Sequence, residues 1–174
     1  MTRADWLTAT FGVRPREEAL YETALTHPSF GPDNYQRLEF LGDRVLGLVM
    51  AEWLSERFPA EREGQLSHRF TTLVSGATSA HVGRQIGLVD WLRLGKQARD
   101  DGAAGSDYIM GDVVEALIGA LYLEHGLAAA RCFIRDAWCD LIVEPAETRD
   151  VMAMLLDLAG RVPAVPSRFG VFRM

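Results

Sequence analysis

Lysine is almost missing from this chain. Among 18 basic residues only Lys96 is a lysine, and the other seventeen are arginines. Contacts to phosphate would therefore fall to guanidinium groups, which suit bidentate recognition, although a GC-rich genome produces the same bias. Cysteine is scarce too: Cys132 and Cys139. Seven residues apart on one helix, they would stand about 10 Å apart, beyond disulfide reach, and with no histidine near them they do not make a zinc site. They read as ordinary core thiols in a reducing compartment. No apolar run reaches the roughly 18 residues that a membrane span needs. The start, Met1 to Trp6, carries an early acid and no long apolar stretch, which argues against a secretory signal. The expectation is a cytoplasmic protein without a membrane partner. Positive charge is also lacking. A formal charge of −6 argues against a nucleic-acid partner, except that acids clustered to hold a metal inflate the negative count. Repeats, low-complexity runs and β alternation are absent. The chain's 174 residues suffice for one domain with a sizeable core.

The pattern that is present is helical, and the expected fold class is all-α. Residues 15–25 form a helix-friendly stretch that ends before Pro28, followed by a loop at Gly31 to Asn34. A long helix spans about Tyr35 to Phe58, its apolar positions Leu38, Leu41, Val45, Leu48 and Val49 at helical spacing, and Pro59 ends it. Glu63 to Ser67 reads as a turn with Ser67 or a neighbour as helix cap, and about Leu66 to Gly87 fits one or two helices. Leu92 to Asp107, with Gly95, Gly102 and Gly105, reads as a mobile surface loop. A strongly apolar helix covers about Tyr108 to Glu124, broken by Gly126, and another runs from about Leu127 to Val143. Asp150 to Leu158 suits a short helix. Beyond it Gly160, Pro163, Pro166 and Gly170 interrupt regular structure, and Arg161, Arg168 and Arg173 make the end basic.

The chemistry lies in acids embedded in two of the apolar helices. Glu39 and Asp43 are four apart in the string Gln36-Arg37-Leu38-Glu39-Phe40-Leu41-Gly42-Asp43-Arg44-Val45, and so share one helix face. Asp112 and Glu115, in Asp112-Val113-Val114-Glu115-Ala116-Leu117-Ile118-Gly119, are three apart and share another. Burying unpaired carboxylates costs several kcal/mol, and like charges at this spacing repel. A hard divalent cation offsets both effects, the arrangement used in Mg²⁺-assisted phosphodiester hydrolysis. Gly42, Gly111 and Gly119 are poor helix formers whose place in such helices suits close approach of another helix or a ligand. Taken alone, the pair spacing also fits a solvated helix face.

The exact string decides further. Arg37 to Asp43 with Val45-Leu46 resembles the defining motif of the ribonuclease III family. Leu25-Thr26-His27-Pro28-Ser29-Phe30 resembles its upstream box, Glu63-Gly64 with Leu66-Ser67 and Leu73-Val74-Ser75 its middle segment, Leu92-Arg93-Leu94-Gly95 the approach to its variable loop, and Asp112 to Ala120 its second acidic helix. The likeness covers roughly residues 5–143, in order. It implies a helical endonuclease domain over residues 1–145 that homodimerises and cleaves double-stranded RNA to 5′-phosphate and 3′-hydroxyl ends in RNA processing. It implies Mg²⁺, with Mn²⁺ as substitute, held by Glu39, Asp112 and Glu115, with Asp43 and Glu115 as catalytic residues. By the same likeness Phe40 plugs a hollow on a partner subunit, while Glu63 and the position of Gln36 lie toward substrate. His27 reads as a structural histidine at a helix end. His68, His81 and His125 read as superficial. Lys96 and Arg99 stand where they could touch phosphates.

The sequence departs from the family in two places. Gln36 stands where most members carry an acid. After residue 145 the chain continues only to residue 174, too short for the double-stranded-RNA-binding domain that usually follows; residues 146–174 read as a linker or the start of such a module, with weaker, salt-sensitive RNA binding as the consequence. Two other readings stand beside the nuclease. One is a non-catalytic relative that binds structured RNA, for which the retention of all four acids is a poor match. The other is an all-α Mg²⁺-dependent nucleotide pyrophosphatase, a class that favours E-x-x-E pairs. A di-iron bundle wants Glu-x-x-His, and Ile118 occupies that place after Glu115.

Overall fold

Among the described residues, helices α3 and α7 form the centre, and the other elements pack around them. The computed structural model describes residues 1–142; of these Met1–Leu141 form one compact unit. The elements are α1 (Arg3–Phe11), α2 (Glu18–Ala24), α3 (Gln36–Arg57), α4 (Glu63–Leu73), α5 (Gly76–Gln85), α6 (Lys96–Asp100) and α7 (Asp107–Ala137), with 3₁₀ turns at Leu88–Trp91, Ala103–Gly105 and Cys139–Leu141. The all-α expectation holds. The single β-like contact among the described residues is a parallel bridge between Thr26 and Arg93.

Why α3 and α7 pack so closely is written in two glycines. A Cβ on Gly42 would fall onto the Glu115 carbonyl oxygen, with the Gly119 nitrogen 2.9 Å away; one on Gly119 would fall onto the Leu38 carbonyl oxygen, with the Gly42 nitrogen 3.2 Å away. The two helices therefore touch backbone to backbone. Gly111 does the same toward α5, where a Cβ would meet the Gly76 carbonyl oxygen at 2.8 Å. Around this seam Val45, Leu46, Val49, Met50, Val113, Val114, Leu117, Ile118 and Leu121 are buried. α7 is long and apolar because it is a core helix. At Gly126 its backbone leaves the helix (φ +80°, ψ 179°), as the sequence suggests, and the second arm returns along α3. There Arg131 grips Glu52 through two nitrogens, at 2.7 and 3.1 Å, and Arg135 reaches Glu56 at 2.5 Å.

Several elements differ from the sequence expectation. α1 has no counterpart in it, although its signal is present: Thr2 and Asp5 cap each other across the first turn and Gly12 closes the helix in the left-handed conformation. Trp6 fastens this helix by donating to the Ile86 carbonyl at 2.7 Å and stacking on Trp91. α4 begins at Glu63, so Ser67 lies inside the helix, donating to Glu63 at 2.6 Å, and is not its cap. The expected loop over Leu92 to Asp107 contains α6. Its entry is pinned, with His27 N–H on the Arg93 carbonyl and Arg93 N–H on the Leu25 carbonyl, both at 2.9 Å. Cys132 and Cys139 are exposed, not core thiols, because Ala130, Phe133, Ile134 and Trp138 take the inward positions of that arm. His125 is not superficial either: its side chain is 10% exposed beside Glu124. Glu124 itself caps α2 from across the molecule, accepting from the N–H groups of Arg16 and Glu17 and from the Tyr21 hydroxyl. Residues 146–174, expected to be a tail, lie outside the described residues, as does the end of the helix expected to reach Val143.

Candidate metal centre

Three of the four predicted acids face one another where α3 crosses α7. Glu39 comes from the first turns of α3; Asp112 and Glu115 come from consecutive turns of α7. The glycine seam sets their spacing, because the backbone of Glu115 is itself the surface that Gly42 touches. Glu115 is 9% exposed, the most deeply placed of the set. Burial, then the charges of Asp112 and Glu39, push its carboxyl up to about 7. Asp112 is raised by burial in spite of a hydrogen bond from Tyr35 and the nearby His27. Glu39 is raised by burial and then by Asp112. The three thus disfavour each other's ionisation, the electrostatic condition that a divalent cation relieves. They do not form a closed ligand cage: among the described residues no three such side chains converge tightly enough to hold an ion unaided. The donor set, hard carboxylate oxygens at the edge of an apolar core, fits Mg²⁺, which keeps part of its water shell and takes few protein ligands.

The other predicted residues are placed differently. Asp43 is one turn beyond Glu39 and pairs with Arg44, whose guanidinium also lies over the Phe40 ring. Gln36 is exposed at the start of α3, its N–H on the Asn34 side chain. With Arg37, Leu38, Phe40, Leu41 and Leu123 it lines a shallow hollow of about 570 Å³. Phe40 is 66% exposed and Leu123 is 56% exposed at that hollow. Glu63 is exposed on α4, tied to Ser67, with no described contact to the other acids. His27 keeps a structural role: its Nδ1 accepts from Ser29 N–H at 3.0 Å, its ring stands edge-on to Tyr35, and burial lowers its pKa.

Two side chains at the site were not picked out from sequence. Tyr35, 3% exposed, donates its hydroxyl to Asp112 at 3.1 Å. Ser79 on α5, fully buried, directs its hydroxyl at Glu115 from 3.5 Å. A signal for Tyr35 was available, since it precedes Glu39 by one helical turn. For Ser79 the only signal was a hydroxyl within the small-residue run of α5.

The described residues form an all-helical domain built on a glycine seam, with coupled carboxylates on both seam helices. This chain belongs to the ribonuclease III family: residues 17–140 match the Ribonuclease-III-like family. Among its relatives, Ribonuclease 3 of Zymomonas mobilis is 58% identical over 137 residues, 79% of this chain and 56% of that protein. Ribonuclease 3 of Dinoroseobacter shibae is 47% identical over 140 residues, 78% of this chain and 61% of that protein. The chain therefore spans little more than half the length of these relatives. The crystal structure of the nuclease domain of ribonuclease III from Campylobacter jejuni superimposes with a TM-score of 0.77 at 31% identity, covering 83% of this chain and 99% of that one. A second structure of that domain, described as flexible in a region involved in dimer formation, gives 0.75 at 32% identity over 78% of this chain and 95% of that one.

Proposed function

We propose that this chain is a Mg²⁺-dependent endoribonuclease that acts as a homodimer on double-stranded RNA, leaving 5′-phosphate and 3′-hydroxyl ends, in RNA processing in the cytoplasm. The observation that carries the reading is the set of mutually destabilised carboxylates, Glu39, Asp112 and Glu115, held by the Gly42–Gly119 seam in a chain 58% identical to a Ribonuclease 3. Glu39, Asp112 and Glu115 hold the metal, and Asp43 completes the catalytic set with Glu115. Mg²⁺, or Mn²⁺ in its place, supplies charge neutralisation at the scissile phosphate and acidifies water for in-line attack. The chain's own residues do the rest. Burial excludes bulk water from Glu115. Asp112 and Glu39 add negative charge, which raises the site's attraction for a cation. Glu63 and Gln36 face the substrate side. The compact unit Met1–Leu141 supports setting the nuclease boundary near residue 145, with residues 146–174 leading onward.

The dimer follows from the exposed Phe40. A 66% exposed phenylalanine beside a hollow lined by Leu38, Leu41 and Leu123 is an isologous pair of parts: each subunit offers a knob and receives one. Two sites related by that symmetry each address one backbone of a duplex. Phe40→Ala should weaken dimerisation by about 2 kcal/mol, on the order of 30-fold, read by sedimentation equilibrium, while the isolated subunit keeps its helical circular-dichroism spectrum. An unchanged association constant counts against the knob.

The test of the function is cleavage of a labelled perfect RNA duplex at low salt, with Mg²⁺ and with EDTA, by wild type and Glu115→Ala. The expected result is cleavage that needs Mg²⁺, produces 5′-phosphate ends and disappears in the variant. A folded dimer that leaves the duplex whole under all these conditions overturns the reading.

A further inference from the structure

Two neutral hydroxyls approach the acidic centre from outside the helix that carries Asp112 and Glu115. Tyr35, in the turn that opens α3, donates to Asp112 Oδ2 at 3.1 Å; Ser79, in the middle of α5, points at Glu115 Oε1 from 3.5 Å. Both are buried, at 3% and 0% exposure, and for each hydroxyl the carboxylate is its hydrogen-bond partner in the structure. Ser79 sits there because α5 runs against α7 on small side chains: Gly76 meets Gly111, and Gly83 meets Met110 and Val114.

We propose that Ser79 and Tyr35 are positioning residues, uncharged donors that hold the carboxylates of Glu115 and Asp112 in the orientation that receives a hard divalent cation. The choice of donor matters chemically. A lysine or arginine in either place would neutralise the carboxylate and compete with the metal. A hydroxyl fixes the carboxylate's plane, leaves its charge available, and uses only part of its accepting capacity, since each carboxylate oxygen keeps further lone pairs for the ion. The longer Ser79 contact is at the outer limit of a hydrogen bond. Outer partners of metal-binding carboxylates are worth about 10- to 100-fold in affinity or activity.

The proposal rests on the metal-dependent reading of the same site, and the experiment separates the two. Mn²⁺ binding to the metal-free full chain is measured by electron paramagnetic resonance, without RNA, for wild type, Ser79→Ala, Ser79→Cys and Tyr35→Phe. Wild type should bind Mn²⁺. Ser79→Ala and Tyr35→Phe should each bind about 10-fold more weakly and need correspondingly more Mg²⁺ for half-maximal cleavage. Ser79→Cys, which keeps the size and a weak donor, should fall between. Melting temperature and duplex affinity without divalent metal should match wild type, which a merely structural role would not predict. Wild-type Mn²⁺ affinity in folded Ser79→Ala and Tyr35→Phe overturns the positioning role and leaves the nuclease reading standing. Absence of Mn²⁺ binding by wild type overturns both. Should Ser79→Ala not fold, Tyr35→Phe, which keeps the buried ring, decides alone.

Discussion

Replacing Glu115 by glutamine should make the metal-free protein more stable while abolishing its cleavage. Glu115 carries a carboxyl raised from the ordinary 4.5 to about 7, with burial as the main cause and Asp112 and Glu39 behind it. A carboxyl raised in the folded state stabilises the fold fully below its unfolded pKa, and that contribution is lost as pH climbs through the folded one. In EDTA, then, wild type should lose stability between about pH 4.5 and 8, and Glu115→Gln should lose less. The full shift corresponds to about 3 kcal/mol; partial solvent access at the rim brings the expected gain at pH 8 to on the order of 1–2 kcal/mol. Urea titrations of both proteins at pH 5 and pH 8 read the difference directly. Saturating Mg²⁺ should close the gap by stabilising wild type alone. On the proposed function, cleavage by the variant should fall by at least about 10³-fold, since losing the carboxylate proposed to hold the metal forfeits several kcal/mol of transition-state stabilisation. Equal pH dependence in the two proteins contradicts the account of Glu115.

The second large effect is expected at Gly42. A methyl there meets the Glu115 carbonyl oxygen and the Gly119 nitrogen, both backbone, so no side chain can swing aside. The helices must separate, and the carboxylates that they carry separate with them. Gly42→Ala should cost about 3 kcal/mol or more, the upper end for overpacked cores, despite alanine's better helix propensity. Gly47→Ala is the control on the same helix. A Cβ there stands 3.5 Å from the Phe70 ring, ordinary contact distance, and should be tolerated. A Gly42→Ala protein that melts with wild type would show that the seam yields.

Much of this was readable beforehand, and unevenly so. α3 was expected over Tyr35 to Phe58 and runs Gln36–Arg57, because one strong apolar period and a terminating proline leave little choice. Gly42, Gly111 and Gly119 were recognised as approach points, since glycine in an apolar helix has no local justification. α1 escaped because a nine-residue helix held by a capping box and Gly12 has little periodicity to show. The exposed cysteines escaped because residue type was taken for burial, whereas helical phase decides it. Ser79 and Tyr35 escaped for a deeper reason: each acts on an acid dozens of positions away, and such a contact is a property of the packing. That Phe40 is 66% exposed became visible only in the structure.

The bend at Gly126 has a consequence for size. As a straight rod, 31 residues would reach about 46 Å, whereas a globule of about 140 residues is roughly 37 Å across. An unbent α7 would protrude from one side as a bare apolar spike. By doubling back at a single left-handed glycine, the chain converts that overhang into a brace: Arg131 and Arg135 clasp Glu52 and Glu56 on the far half of α3. The same helix that carries the acids at one end thereby buttresses, at the other, the helix those acids lean on.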